Sequence, residues 1–165
     1  GIKVSKKTLY EYTMYLGEAF FSFFLKKFSY AMKKAELSVP KVFINDTGLV
    51  NFSSGDFSEN IGRSMENIVF LEIIRREKEV FYWKNATGEE VDFVLKEGKS
   101  IKQLMQVCSD ISRGETKKRE IASLLKASKE LRCNNLVMLT WDVETEENKE
   151  GKTIKYMPAW KWLIG

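Results

Sequence analysis

Apolar residues recur along this chain with two periods, and the change from one to the other marks out its elements. Over residues 5–24, Leu9, Tyr12, Leu16, Phe20 and Phe23/Phe24 return every three or four positions. That spacing predicts one helix with a single apolar stripe, capped by Ser5 or Thr8. Residues 28–39 are mixed and Pro40 closes them. Residues 42–44 read as a short strand that runs into the turn cluster Asn45, Asp46, Thr47 and Gly48. The strongest helix is predicted over 58–76, with Ser58 as its cap. Ile61, Met65, Ile68, Val69 and Ile73 form its inner face, and Phe70, Leu71 and Ile74 widen that face until the helix is apolar nearly all round. Such a helix packs against a sheet rather than lying on the surface.

The period then falls to two. Residues 81–83 are aromatic, 85–88 supply turn chemistry, 91–95 are β-rich, Glu97 and Gly98 turn again, and 104–108 are apolar. A second amphipathic helix is expected over 115–131, with Ile121, Leu124, Leu125, Ser128 and Leu131 on one face and a capping box over 112–115. Residues 135–142 are continuously apolar, as in a strand covered on both faces. Across the helix this strand should run parallel to 104–108. Residues 144–152 read as a polar surface turn, 153–157 as a last strand and 159–164 as a short aromatic helix after Pro158. The order predicts an α/β fold, a mixed central sheet flanked by helices.

Composition narrows this picture. With 165 residues at 44% hydrophobic, the chain can bury one proper core and makes one main domain. Its most apolar run, 19–25, is too short to span a bilayer and meets Lys26 and Lys27 at once. No signal peptide is apparent, and a start without Met reads as a fragment. Cys108 and Cys133 sit in or beside apolar segments and read as reduced thiols of a cytoplasmic protein. The absence of histidine excludes a Ser-His-Asp triad, a His-metal nuclease and a His-ligated zinc site. Catalysis would rest on carboxylates, amides, lysine and hard cations such as magnesium or manganese. No GxxxxGK[ST] loop is present, so this stretch should not hold ATP. Charge is uneven: residues 1–41 carry eight lysines against three glutamates, a balance of +5 within a net +4. A basic first quarter suits nucleic acid or, equally, a solvated surface beside a partner domain.

Candidate chemistry concentrates in the predicted strands. Glu90 and Asp92 lie two apart and point to one face. Gln106 stands in the next strand, with Cys108 two positions on. An acid in one strand, an acid or amide in its neighbour and a lysine at plus two is how a metal-dependent PD-(D/E)XK nuclease is built; here the plus-two residue is Cys108. Glu66 and Glu72 interrupt the apolar helix and need cations, either a metal shared with Asp92 or Arg63, Arg75 and Arg76 at helical spacing. Asp46 is most simply a turn acid bonding nearby amides.

The opening GIKVSKKTLYEYTMYL resembles the turn and second helix of a winged helix; the alternative, which its residues favour, is an ordinary amphipathic helix that docks its aromatics on a neighbouring domain. KVFINDTGLVNF, IGRSMENIVFLEIIRR, VFYWKNATGEEVDFVL, LMQVCSDI and PAWKWLIG together resemble the carboxy-terminal domain of archaeal and bacterial AAA-type ATPases. That is a domain of uncharacterised function with a PD-(D/E)XK nuclease-like fold. The resemblance implies a restriction-endonuclease-like core over residues 41–165, preceded over 1–40 by a helical segment that ends a winged helix. It implies a P-loop ATPase domain of the same polypeptide as partner, with DNA and self-association as further candidates and no membrane. Glu66, Asp92 and Gln106 would form the nuclease-type site, with Glu66 and Asp92 on magnesium or manganese if it is active, and Glu90 and Glu72 as outer acids. Gln106 is neutral and Cys108 supplies no cation, so the expectation is a degenerate site that serves DNA or partner binding. The alternative is a metal-dependent DNA nuclease with a migrated lysine, for which Lys84, Lys96 and Lys102 are the candidates.

Overall fold

The structure, a computed structural model, describes residues 4–52, 57–112 and 114–165. Helix α1 (Lys6–Glu18) begins where Ser5 caps it, its Oγ accepting the Thr8 N–H at 3.1 Å. The helix ends earlier than its periodicity suggests. Phe20 takes a left-handed φ of 54°, the chain turns, and Ser22–Leu25 form strand β1. Phe23 and Phe24 therefore lie on a strand rather than a helix. The aromatic run suits both conformations, and pairing with a partner strand decides between them. After the short helix α2 (Met32–Glu36), that partner is β2 (Lys41–Ile44), antiparallel with Phe23 opposite Phe43. The apolar stripe of α1 is left uncovered, with Leu9, Tyr12, Leu16 and Phe20 all exposed.

The turn after β2 contains an unexpected helix, α3 (Thr47–Phe52), while Asp46 Oδ1 accepts the Gly48 N–H at 2.8 Å as a turn acid should. Helix α4 (Phe57–Arg75) follows and buries Met65, Val69, Phe70 and Ile73. The side chain of its expected cap Ser58 lies outside the described residues, as do Arg113 of the 112–115 box and the Gly1–Lys3 start of the winged-helix resemblance.

Strands β3 (Glu79–Lys84), β4 (Glu90–Glu97) and β5 (Ser100–Cys108) then form an antiparallel meander. Helix α5 (Gly114–Leu131) crosses over to β6 (Leu136–Thr140), which runs parallel to β5 as expected. The stretch expected to be a surface turn is instead an edge strand, β7 (Thr145–Lys149), antiparallel to β8 (Lys152–Pro158). Its sequence Thr-Glu-Glu-Asn-Lys offers no apolar alternation because it buries no apolar side chain, and charged edges of this kind discourage pairing with other chains. Glu150 and Gly151, both at positive φ, make the tight turn between the two strands. Helix α6 (Ala159–Ile164) ends the chain. The six-stranded sheet runs β3-β4-β5-β6-β8-β7.

Helices cover both faces of this mixed sheet. Strand β6 is buried throughout: Leu136 and Met138 join the core with Leu124 of α5, while Val137 and Leu139 join Phe70 of α4 on the other face. The β1–β2 ribbon packs on the α4 side. It is tied to β3 by Phe28 N–H to the Tyr82 carbonyl (2.7 Å) and Tyr82 N–H to the Lys26 carbonyl (3.1 Å). Among the described residues, no helix is long and apolar enough to cross a membrane.

Candidate functional site

Three elements distant in sequence meet beside the start of β4. Asp92 projects from β4 and is almost fully buried, Glu90 opens the same strand, and Glu66 reaches over from α4. Between them stands Lys41, the first residue of β2. Its ammonium lies 2.9 Å from Glu66 Oε1, 2.6 Å from Glu90 Oε1 and 2.8 Å from Asp92 Oδ1. An ammonium has three N–H donors, and each meets one carboxylate. Two of the outer oxygens have partners of their own: Asp92 Oδ2 accepts the Val107 N–H at 3.0 Å, and Glu90 Oε2 accepts from Lys84 at 2.9 Å.

Lys41 is held where it is by the ribbon that carries it. Asn67, buried on α4, accepts the Ile44 N–H at 2.9 Å and donates back to the Ile44 carbonyl at 2.8 Å, closing both backbone groups of the strand's last residue. Phe43 stacks on Phe70 with ring centroids 4.0 Å apart. Tyr82 donates from its hydroxyl to the Val39 carbonyl at 2.6 Å, and its ring lies 5.8 Å from the Lys41 nitrogen. A helix side chain, an aromatic stack and a strand tyrosine thus pin the backbone on either side of the lysine.

The electrostatics follow from this crowding. Burial works against the Lys41 charge, but Asp92, Glu66 and Glu90 together outweigh it and hold the lysine protonated well above its ordinary value. Burial, reinforced by the neighbouring Asp92, pushes Glu66 up to about 7, and Lys41 offsets only part of that. Burial also opposes ionisation of Glu90, but hydrogen bonds and charge from Lys41 and Lys84 bring its pKa below the usual range.

A cleft of about 380 Å³ adjoins the cluster, lined by Glu66, Asp92, Gln106, Cys108, Arg119 and Glu120 among others. Gln106 is engaged at both ends: its Oε1 accepts the Asp92 N–H at 3.2 Å and its Nε2 donates to Glu120 Oε2 at 2.7 Å. Glu120 also pairs with Arg119 at 2.7 Å. The Cys108 thiol is buried, and burial together with the charge of Glu120 pushes it up to about 11, so it stays neutral.

Glu66, Asp92 and Gln106 therefore line one cleft, and Glu90 is tied to Glu66 and Asp92 through Lys41 without lining it. Glu72 does neither. It lies at the far end of α4, where hydrogen bonds from Arg75 and Arg76 lower it to about 2. Of the three candidate lysines, Lys84 reaches the cluster through Glu90, whereas Lys96 pairs with Glu79 and Lys102 with Glu97. The residue that sequence reasoning missed is Lys41, 25 positions from Glu66 and 51 from Asp92. One signal was available: acids converging on a buried strand demand a buried cation, and a lysine opening the apolar Val42-Phe43-Ile44 strand is a candidate for it.

Magnesium and manganese favour hard oxygen ligands, and Glu66 and Asp92 are of that kind. In this arrangement, however, the inward oxygens of Glu66, Glu90 and Asp92 all meet one ammonium, and the Gln106 carbonyl is taken by the Asp92 N–H. Among the described residues, no group of three or more His, Cys, Asp or Glu side chains is placed to hold a metal ion. As they stand, the residues do not fit a divalent cation.

Fold and site together define a mixed α/β domain whose strand β4 feeds a largely buried acidic cluster gathered around one lysine. Within that class, the chain belongs to the family described as a domain of unknown function, DUF4143, whose model matches residues 61–162. It is 38% identical over 172 residues to an uncharacterized protein of Methanocaldococcus jannaschii, a match that covers 98% of this chain and 37% of the relative. It is also 30% identical over 100 residues to an uncharacterized protein of Haemophilus influenzae, covering 61% of this chain and 25% of that protein. The chain thus spans well under half the length of the curated relatives it matches. No solved structure matches it.

Proposed function

We propose that this domain is a nuclease-like module that does not cleave, a carboxy-terminal part of a cytoplasmic prokaryotic P-loop ATPase that binds DNA or a protein partner and so regulates that ATPase. The observation that carries the reading is the state of Gln106 and Cys108. Where a nuclease of the resembled type has a lysine two positions after its third-strand acid or amide, this chain has a neutral, buried thiol, and the amide before it is locked between Asp92 and Glu120. Loss of an electrostatic stabiliser of that kind costs orders of magnitude in rate. The mixed sheet with helices on both faces agrees with a restriction-endonuclease-like core, and the much greater length of the relatives leaves room for an ATPase domain. The lysine-rich first quarter is compatible with phosphate contacts.

A second reading, a divalent-metal-dependent DNA nuclease, is favoured by one observation: a lysine does stand in reach of Glu66 and Asp92. It requires Lys41 to leave the carboxylates so that magnesium or manganese can take them. Incubation of single-stranded, duplex and branched DNA with each metal separates the two readings, with Asp92→Ala run alongside. The proposed module leaves all three substrates intact while binding DNA or a partner, and DNA binding through phosphate weakens as salt rises. Metal-dependent cleavage that disappears in Asp92→Ala would establish the nuclease instead.

A further inference from the structure

We propose that Lys41 is a built-in counter-cation, a side chain that takes the position between Glu66, Glu90 and Asp92 that a divalent ion would otherwise fill. This deepens the non-cleaving reading and rests on it for the identity of the site, though not for its geometry.

Three features carry the inference. The ammonium makes contacts of 2.6–2.9 Å with three carboxylates from two separate elements, which is full use of its donors. An ion pair formed by chance at a surface engages one partner and is worth little; here Asp92 is 10% exposed at its side chain and Lys41 22%. The strand that delivers the lysine is fixed by the Asn67 clamp and the Phe43–Phe70 stack, so the charge is positioned by packing rather than by solvent. The rest of the balance is also internal: Lys84 serves the second oxygen of Glu90, and Arg119 with Gln106 serves Glu120. Lys41 is in these terms a positioning residue, holding the three acids at one point without any ion from solution.

Manganese titration calorimetry on the full chain tests this, with wild type, Lys41→Met and Lys41→Met/Asp92→Asn compared. Methionine keeps the length of the lysine stem and removes its charge. Lys41→Met should bind one manganese at least about tenfold more tightly than wild type, because three hard oxygen donors lose their ammonium. The added Asp92→Asn should abolish that gain. Equal affinity in wild type and Lys41→Met, or no gain, would overturn the proposal. Should Lys41→Met not fold alone, circular dichroism with MnCl₂ and with NaCl of matched ionic strength decides: refolding by manganese alone supports the counter-cation, and refolding by both or neither overturns it. The outcomes separate from those of the functional reading. Tight manganese binding by a wild type that cuts nothing would remove the counter-cation and leave the non-cleaving module. Metal-free cleavage by wild type, with gained manganese binding in Lys41→Met, would do the reverse.

Discussion

Glu66 and Glu72 lie less than two turns apart on α4, and their surroundings treat them in opposite ways. Glu72 is served by Arg75 and Arg76, three and four residues on, and its pKa falls to about 2. Arg76 also donates to the Trp162 carbonyl at 2.9 Å and packs over the Trp162 ring, so the local pair doubles as a tie to α6. Glu66 has as its cation Lys41, delivered by another strand, and burial beside Asp92 drives its pKa up to about 7. One acid is satisfied by its own helix. The other depends on tertiary structure to bring it a charge, and must share that charge with two more carboxylates.

The difference predicts where the molecule breaks. The largest effect should come from Phe43→Ala, which removes the aromatic stack that seats β2 on α4; about 4 kcal/mol of unfolding free energy should be lost in urea denaturation. Lys41→Met should follow at about 3 kcal/mol, because it leaves buried carboxylates without their cation.

Titration sharpens the contrast. Carbon-detected NMR of the side-chain carboxyls should give Glu66 a midpoint near 7 and Glu72 one near 2. The signs for stability are then opposite. Glu66, raised above its ordinary 4.5, contributes stability that is fully present below pH 4.5 and is lost as pH rises through 7. Glu72, lowered from the same value, contributes above pH 4.5 and loses its contribution as pH falls towards 2. In Lys41→Met the Glu66 midpoint should move further up, since the lysine holds it down. The smallest effect belongs to Glu72→Gln, whose pairs with Arg75 and Arg76 are local contacts at helical spacing, each contributing only slightly to stability. Its melting temperature should stay close to wild type, measured by calorimetry, and a loss as large as that of Lys41→Met would erase the distinction between the two glutamates.

The same contrast explains what could be read from the sequence. Helices α4 and α5, the β3-β4-β5 meander and the parallel β5–β6 pair follow from periodicity and turn residues, because each is specified locally. So is Glu72, whose arginines lie at helical spacing. Strand β1 was hidden because Phe20–Phe24 continue a helical stripe, and only pairing with β2 shows that the chain turns at Phe20. Edge strand β7 was hidden because it buries no apolar side chain. In the cleft, the chain order of Glu66, Asp92 and Gln106 was legible through the family resemblance. Lys41 was not, since nothing in the spacing of a lysine before Val42 says which acids it will meet 25 and 51 residues later.

The three-way contact at Lys41 is tested most directly by proton–nitrogen NMR of the lysine ammonium groups in the full chain at neutral pH, before and after addition of magnesium chloride. The structure predicts a distinct, slowly exchanging Lys41 ammonium signal that magnesium leaves unchanged and that Asp92→Asn weakens. A Lys41 signal in fast exchange like that of exposed Lys99, or one displaced by magnesium, would contradict it and return the cleft to the metal.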